Sequence, residues 1–204
     1  MSELLAHIHL PLIGLIIGIV VGLTGVGGGS LMTPILVGGL GVAPAIAAGT
    51  DLLFAAITKS FGAMAHWRAG NVAKRLLTVL IIASLSGAAI AFAFVHGLKP
   101  NINSLNQVIR GALGFALFAT AFALLIRPWL LRFRRAHVGN VPAHDIAASQ
   151  RVWPTIALGF AIGAVVTLSS VGAGAIGVTA LLLLHPSLPI ARVVGTDIAY
   201  AVPL

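Results

Sequence analysis

The chain has 204 residues, of which 59% are hydrophobic and only 8% are charged, and its formal net charge at pH 7 is +8. This composition excludes an ordinary soluble domain and is typical of a polytopic helical membrane protein. The positive charge is concentrated between the apolar runs, so it indicates orientation in a membrane rather than nucleic-acid binding.

The first apolar run, residues 10–23, leads into a glycine-rich stretch, GLTGVGGGSLMTP, at residues 22–34. Glycine costs about 1 kcal/mol relative to alanine inside a helix, so five glycines within eight residues should break it. In lipid such a break is tolerable only beside protein or a water-filled cavity. The backbone N–H groups left free at the start of the helix after the break would favour the binding of an anion. The alternative is that the glycines allow two membrane helices to pack closely against each other.

The next apolar run, residues 31–42, is too short to span, because a membrane-spanning helix needs ~20 residues. We therefore predict that the first two runs form a hairpin or re-entrant pair. A long basic loop is predicted over residues 127–151. The further helices are predicted at residues 45–67, 76–96, 107–126 and 153–170, with a short run ending at 184 and a helix starting at 189.

The distribution of lysine and arginine predicts how the protein is oriented in the membrane. The connection 68–75 and the loop 127–151 are both basic and are separated by two spans, so both are predicted to be cytoplasmic. The protein is then expected in the cell (inner) membrane with its N-terminus outside.

The glycine-rich stretch recurs as TLSSVGAGAIGVT at residues 167–179. This predicts a duplicated unit, with 1–127 as the first membrane repeat, 128–152 as a basic cytoplasmic loop and 153–204 as the start of a second, incomplete repeat. The charge pattern favours inverted over parallel repeats. The correspondences are Val26, Gly27 and Gly29 with Val171, Gly172 and Gly174, and then Gly49, Thr50 and Asp51 with Gly195, Thr196 and Asp197.

Corresponding glycine-interrupted segments in two halves point to a transporter's binding site. Hydroxyls beside the breaks could donate to an oxyanion, or they could satisfy carbonyls that the breaks free. Lys59 lies eight positions after Asp51, about 12 Å along a helix and near mid-membrane, where charged residues usually face a pathway. The residues predicted to bind substrate are Thr24, Gly27, Gly28, Gly29, Ser30, Lys59, Ser170, Gly172 and Gly174.

The duplicated Thr–Asp pairs allow two interpretations. They could bind a coupling ion or proton, or they could cap helix starts. His66 could gate or relay protons at the cytoplasmic end of its helix, although Trp67 and Arg68 beside it are typical interface residues. The residues predicted for coupling or gating are Thr50, Asp51, Thr196, Asp197 and His66.

No catalytic constellation, cofactor motif or metal site is predicted. GVGGGS lacks the Lys-Ser/Thr that a phosphate-binding loop requires, so ATP-driven transport is not expected. His7 and His9 have no evident third ligand, and the chain contains no cysteine.

Three stretches carry a family resemblance: GVGGGSLMTP at 25–34, GTDLLFAAITK at 49–59 and HWRAGNV at 66–72. Together they resemble the TauE/SafE family of membrane anion exporters. The second half matches through Asp197 and lacks a counterpart of HWRAGNV. Related members carry Thr-Ser where this chain has Thr50-Asp51, which puts simple anion binding at that position in doubt.

The resemblance implies a secondary transporter or permease for a small anion, with sulfite or an organosulfonate as the expected cargo. The two breaks would bind the oxyanion, Lys59 would supply positive potential, and one half would rock against the other. The alternatives are a proton- or cation-linked permease of another small solute that uses Asp51 and Asp197, a membrane-embedded enzyme, or an inactive fragment of a split protein. Expected partners are the small anion, the bilayer, and a second copy or a protein supplying further helices; no nucleic acid is expected.

Overall fold

The computed structural model describes residues 14–16, 18–19, 29–97, 102–137, 152–171 and 174–204, and every regular element in these ranges is helical. The all-α membrane fold predicted from the sequence is confirmed. The elements are α1 (Gly29–Pro34), which continues as a π-helix (Ile35–Gly39), α2 (Pro44–Arg68), α3 (Lys74–Gly97), α4 (Ile102–His137), α5 (Val152–Ser169), α6 (Ala175–Leu184) and α7 (Ile190–Tyr200).

Three segments are long and apolar enough to cross a membrane: Lys74–Gly97, Asn106–Arg132 and Val152–Ser169. Helix α2 is also 25 residues long, but it carries Asp51 and Lys59 within its length. Large apolar side chains remain exposed on the outer faces of these helices, among them Phe118 at 74% and Trp153 at 81%. In a membrane protein these faces contact lipid, so they need no further protein cover.

The predicted helices agree with the structure to within a few residues, except at the end of α4. The basic loop was predicted to begin at residue 127, but α4 continues to His137 and includes Pro128. The reason is that charged residues mark the end of the membrane-spanning part of a helix, whereas the helix itself can continue into water. Arginine and leucine are good helix formers, so the helix extends beyond its apolar part.

The first apolar run and the glycine-rich break lie mostly outside the described residues, as do residues 138–151. Only short helical pieces at 14–16 and 18–19 are described before Gly29. The re-entrant pair, the inverted repeats and the cytoplasmic assignment of the two basic segments therefore stay predictions.

The closest helix contact joins α3 of the first half to α5 of the second. A Cβ atom on Gly163 would overlap the backbone carbonyl of Ser84, and a Cβ on Gly87 would overlap the carbonyl of Phe160. A Cβ on Gly159 would lie 3.0 Å from the Ala83 methyl group. This is the close backbone approach that small residues four positions apart allow between membrane helices.

Helices α6 and α7 pack on this pair through a buried apolar cluster. Leu80 of α3 contributes to it with Leu181 and Leu182 of α6, and with Val193 and Tyr200 of α7. The cluster seats α7 against α3 and α6, while another part of α7 contacts α2. The functional groups described below lie between α2 and α7 and at the ends of α1 and α5.

Candidate functional site

One face of α2 carries the polar residues that the sequence singles out. Asp51, Lys59, Gly62 and His66 fall within an arc of about 80° when 100° separates successive residues of a helix. This face meets α7, since a Cβ on Gly62 would lie 3.3 Å from the Ile198 side chain. The opposite face carries exposed apolar side chains and faces lipid.

Asp51 joins segments from both halves of the chain. Its side chain is fully buried, at 0% exposure, and its Oδ2 atom accepts two hydrogen bonds. One comes from the Thr33 hydroxyl of α1 at 3.2 Å, and the other comes from the Ser170 hydroxyl just after α5. Its Oδ1 atom is buried and has no hydrogen-bond partner among the described residues.

The bend after α5 directs Ser170 toward Asp51. Ser170 has a φ of 59°, an uncommon conformation for a residue other than glycine. The Ser169 hydroxyl beside it donates to the Val165 carbonyl at 2.7 Å and accepts from the Val171 N–H at 3.2 Å. Ser169 thus satisfies backbone groups that the break frees, while Ser170 bonds to the carboxylate.

Gly174 begins the next helix in a conformation that suits glycine. It is the N-cap of α6, with φ 135° and ψ −88°, and a side chain there would be strained. The second break therefore contains two unusual backbone conformations, at Ser170 and Gly174.

Asp197 occupies a second buried position, on α7. Its side chain is 2% exposed, and its Oδ1 atom lies against Gly177 of α6, where a Cβ would overlap it. The same Cβ would lie 2.9 Å from the Tyr200 hydroxyl. Neither Asp197 Oδ1 nor the Tyr200 hydroxyl has a hydrogen-bond partner in the part of the chain that the structure describes.

Lys59 links the two carboxylates electrostatically. Its half-buried side chain interacts electrostatically with both Asp197 and Asp51. Asp197 also interacts with Arg127 of α4. Lys59, on the interior face of α2, therefore supplies positive charge that acts on a carboxylate from each half.

The chain just after α2 docks on α7. The Ala73 N–H donates to the Thr196 hydroxyl at 2.9 Å, and that hydroxyl donates to the Arg192 carbonyl at 2.6 Å. A Cβ on Gly195 would overlap the Asn71 carbonyl and would lie 3.0 Å from His66 Nδ1. This His66 nitrogen is buried and has no hydrogen-bond partner within the described ranges.

The structure thus brings together Lys59, Ser170 and the two aspartates, with Thr196 and His66 nearby on the same pair of helices. It does not bring Thr50 to them, because Thr50 is exposed on α2 whereas its counterpart Thr196 is fully buried. Gly29 begins α1. The predicted positions outside the described residues are Thr24, Gly27, Gly28, Gly172 and the side chain of Ser30.

Three residues at this site were not predicted as site residues. In the register that aligns Gly29 with Gly174, Thr33 falls on Val178, so the repeat does not mark it. Tyr200 is the one tyrosine of the sequence and follows Asp197 by three positions, almost one helical turn. Gly177 gives no such signal in the sequence, because its importance comes from the Asp197 and Tyr200 oxygen atoms that lie against it.

The described residues include no group of three or more His, Cys, Asp and Glu side chains that could hold a metal ion. What they provide is two buried carboxylates, one ammonium group and two hydroxyls that converge on one carboxylate oxygen. Such a set can bind ions and couple their charges.

Comparisons with known proteins show which family the chain resembles. The family model described as "Sulfite exporter TauE/SafE" matches residues 10–204. A curated relative, the "Probable membrane transporter protein YjnA" of Bacillus subtilis (strain 168), is 36% identical over 195 residues, which cover 95% of this chain and 74% of the relative. No solved structure matches the chain.

Proposed function

The chain belongs to the TauE/SafE family of membrane transporters, and on that premise we propose that it is a secondary transporter that moves a small anion, sulfite or an organosulfonate, across the cell membrane. One observation carries the proposal: Lys59 lies on the interior face of α2, in electrostatic contact with a buried carboxylate from each half. A charged side chain within a membrane helix that faces the protein interior usually marks an ion pathway.

The anion would bind where the two glycine-rich breaks meet α2. Hydroxyl and backbone N–H groups at the breaks would donate to its oxygens, as helix starts do for anions. The proposed binding set is Thr24, Gly27, Gly28, Gly29, Ser30, Lys59, Ser170, Gly172 and Gly174. No chemical conversion of the anion is involved, since transport needs only binding and release.

The charges near Lys59 constrain how an anion could bind. Asp51 and Asp197 together offset the positive charge of Lys59 and of Arg127, which acts on Asp197. An anion would gain little from such a balanced cluster unless a carboxylate were neutralised or drawn away from Lys59. The proposal therefore includes a coupling role for the aspartates.

A second candidate is a proton- or cation-linked permease of another small solute. It is favoured by the buried Oδ1 atoms of Asp51 and Asp197, neither of which has a hydrogen-bond partner among the described residues. Thr50, Thr196 and His66 would then assist coupling or gating. Replacing both aspartates with asparagine should abolish all flux under this candidate, whereas sulfite flux should continue with altered coupling under the first.

The deciding experiment measures unfolding of the purified protein in detergent at constant ionic strength. The salts compared are sulfite, sulfate, thiosulfate, taurine, acetate and chloride. A ligand that binds the folded state stabilises it by about 2.7 kcal/mol at one hundred times its dissociation constant. We expect selective stabilisation by sulfite or taurine that is absent in Lys59→Ala.

The matched control is Lys74→Ala, which removes an exposed lysine whose ammonium lies 5.5 Å from the Trp67 ring centre. This variant should keep the anion response. An equal response to all six salts, or one that Lys59→Ala retains, would contradict the anion site. Sulfite flux in proteoliposomes then tests transport itself.

A further inference from the structure

Three side-chain oxygen atoms from three separate segments meet at Asp51. They are Asp51 Oδ2, the Thr33 hydroxyl of α1 and the Ser170 hydroxyl after α5, and all three side chains are buried. A fourth oxygen, Asp51 Oδ1, is buried beside them without a hydrogen-bond partner in the described chain. From this arrangement we propose that Asp51, Thr33 and Ser170 form a binding site for one Na⁺ ion.

The proposed site requires an ionised Asp51 carboxylate, and the geometry suits that state. Its Oδ2 atom can accept from two hydroxyls at once, because a carboxylate oxygen has lone pairs for both. A proton on Oδ1 would create a buried O–H group without an acceptor in the described chain.

The charge of Asp51 is compensated less completely than that of Asp197. The two carboxylates share Lys59, and Asp197 has Arg127 as a second cationic neighbour. The one cation that acts on Asp51 among the described residues is Lys59. A buried carboxylate that shares its one cation favours a further bound cation.

The ligand chemistry fits a monovalent hard cation. Carboxylate and hydroxyl oxygens are hard ligands, and each hydroxyl keeps its lone pairs for a cation while it donates to Asp51. A single carboxylate supplies too little charge for a dedicated divalent site. Potassium sites use larger rings of carbonyl oxygens, so the compact group at Asp51 suits Na⁺.

The site's position would connect Na⁺ to both halves. Thr33 belongs to the first repeat and Ser170 to the break of the second, so an ion held by both would fix the two breaks relative to each other. Broken membrane helices commonly bind coupling ions in this way. The role of Na⁺ as a co-transported ion rests on the proposed transport function, whereas its binding at Asp51 does not.

The test measures thermal unfolding of the purified protein in detergent, without sulfite, in NaCl, KCl or N-methyl-D-glucamine chloride at equal ionic strength. We expect a saturable rise in Tm with Na⁺ alone. Thr33→Val and Ser170→Ala keep the carboxylate and should each raise the half-saturating Na⁺ concentration by about tenfold or more. Asp51→Asn should abolish the response.

The matched control is Thr179→Val, in α6 of the second half. Thr179 is also buried, but its hydroxyl bonds to the Ala175 carbonyl of its own helix, so this variant should keep the wild-type Na⁺ response. Equal unfolding in the three salts would overturn the Na⁺ site, as would a response to K⁺ of the same size. An unchanged half-saturating concentration in Thr33→Val and Ser170→Ala would also overturn it.

This measurement separates the two proposals. If Na⁺ stabilises the protein as expected but sulfite does not cross proteoliposome membranes, the proposed function fails and the Na⁺ site stands. If sulfite is transported while Na⁺ has no effect on unfolding, the Na⁺ site fails and the proposed function stands.

Discussion

The Ser170 hydroxyl donates a hydrogen bond to the Asp51 carboxylate, although 119 positions separate the two residues in sequence. Asp51 lies in the helix that follows the first break, and Ser170 lies in the second break. A change in the conformation of either segment therefore alters the hydrogen bonding of the other. A carboxylate of α2 and a hydroxyl just after α5, which are distant in sequence, therefore form one polar centre.

This hydrogen bond should contribute measurably to stability. Ser170→Ala removes one donor from a buried carboxylate, and a hydrogen bond to a charged group contributes about 1.5–3 kcal/mol. We expect a loss of that size in the free energy of unfolding, measured by denaturation in detergent. Ser60→Ala is the control, because its exposed hydroxyl bonds to the Ala56 carbonyl of its own helix. Equal stability of the two variants would contradict the assignment.

The contact between α3 and α5 predicts that Gly163→Ala destabilises the protein. Gly163→Ala would place a methyl group on the Ser84 carbonyl, so the two helices would have to separate. We expect a loss of about 1–3 kcal/mol, as overpacked interiors show. Gly114→Ala in α4 is the control, since its added Cβ meets no atom within 4 Å. That variant should be neutral or gain up to about 1 kcal/mol.

The two threonines of the repeated Gly-Thr-Asp sequence should differ in importance. Thr196→Val leaves the Ala73 N–H without its acceptor, which costs about 1–3 kcal/mol when the group is buried. Thr50→Val changes an exposed side chain and should alter stability by less than about 0.5 kcal/mol. Denaturation of both variants checks this contrast, and similar losses would be evidence against the docking of Ala73 on α7.

Gly177 should be required for transport more than for folding. Gly177→Ala would force the Asp197 carboxylate to move, because its Oδ1 atom occupies the space of the new methyl group. We expect sulfite flux in proteoliposomes to fall at least about tenfold, in line with the cost of small displacements at functional sites. Gly111→Ala, whose Cβ would meet nothing within 4 Å, is the control and should retain full flux.

The positions of the helices were predictable because long apolar runs determine them. Helices α2, α3 and α5 begin and end within a few residues of the predicted ranges. The prediction failed at the end of α4, where apolar composition ended before the helix did. Apolar composition predicts where the membrane-spanning part of a helix ends, whereas backbone hydrogen bonding and helix propensity determine where the helix itself ends.

The polar centre was only partly predictable. The repeat marked Asp51 and Asp197, and the rarity of charge within the helices marked Lys59. The pairing of Asp51 with Ser170 could not be predicted, because no sequence rule states which side chains of distant segments will meet. Gly177 was missed for the same reason, since the need for a glycine at this position comes from atoms of another helix.

The contact between α3 and α5 also determines which parts of this transporter can move. The two backbones touch where Gly87 and Gly163 lack side chains, so neither helix can slide or turn without a steric clash. Because α3 belongs to the first half of the chain and α5 to the second, this contact joins the two halves. Rocking of one half against the other would have to separate the two helices at these glycines, whereas a movement that carries α3 and α5 together would keep the contact intact.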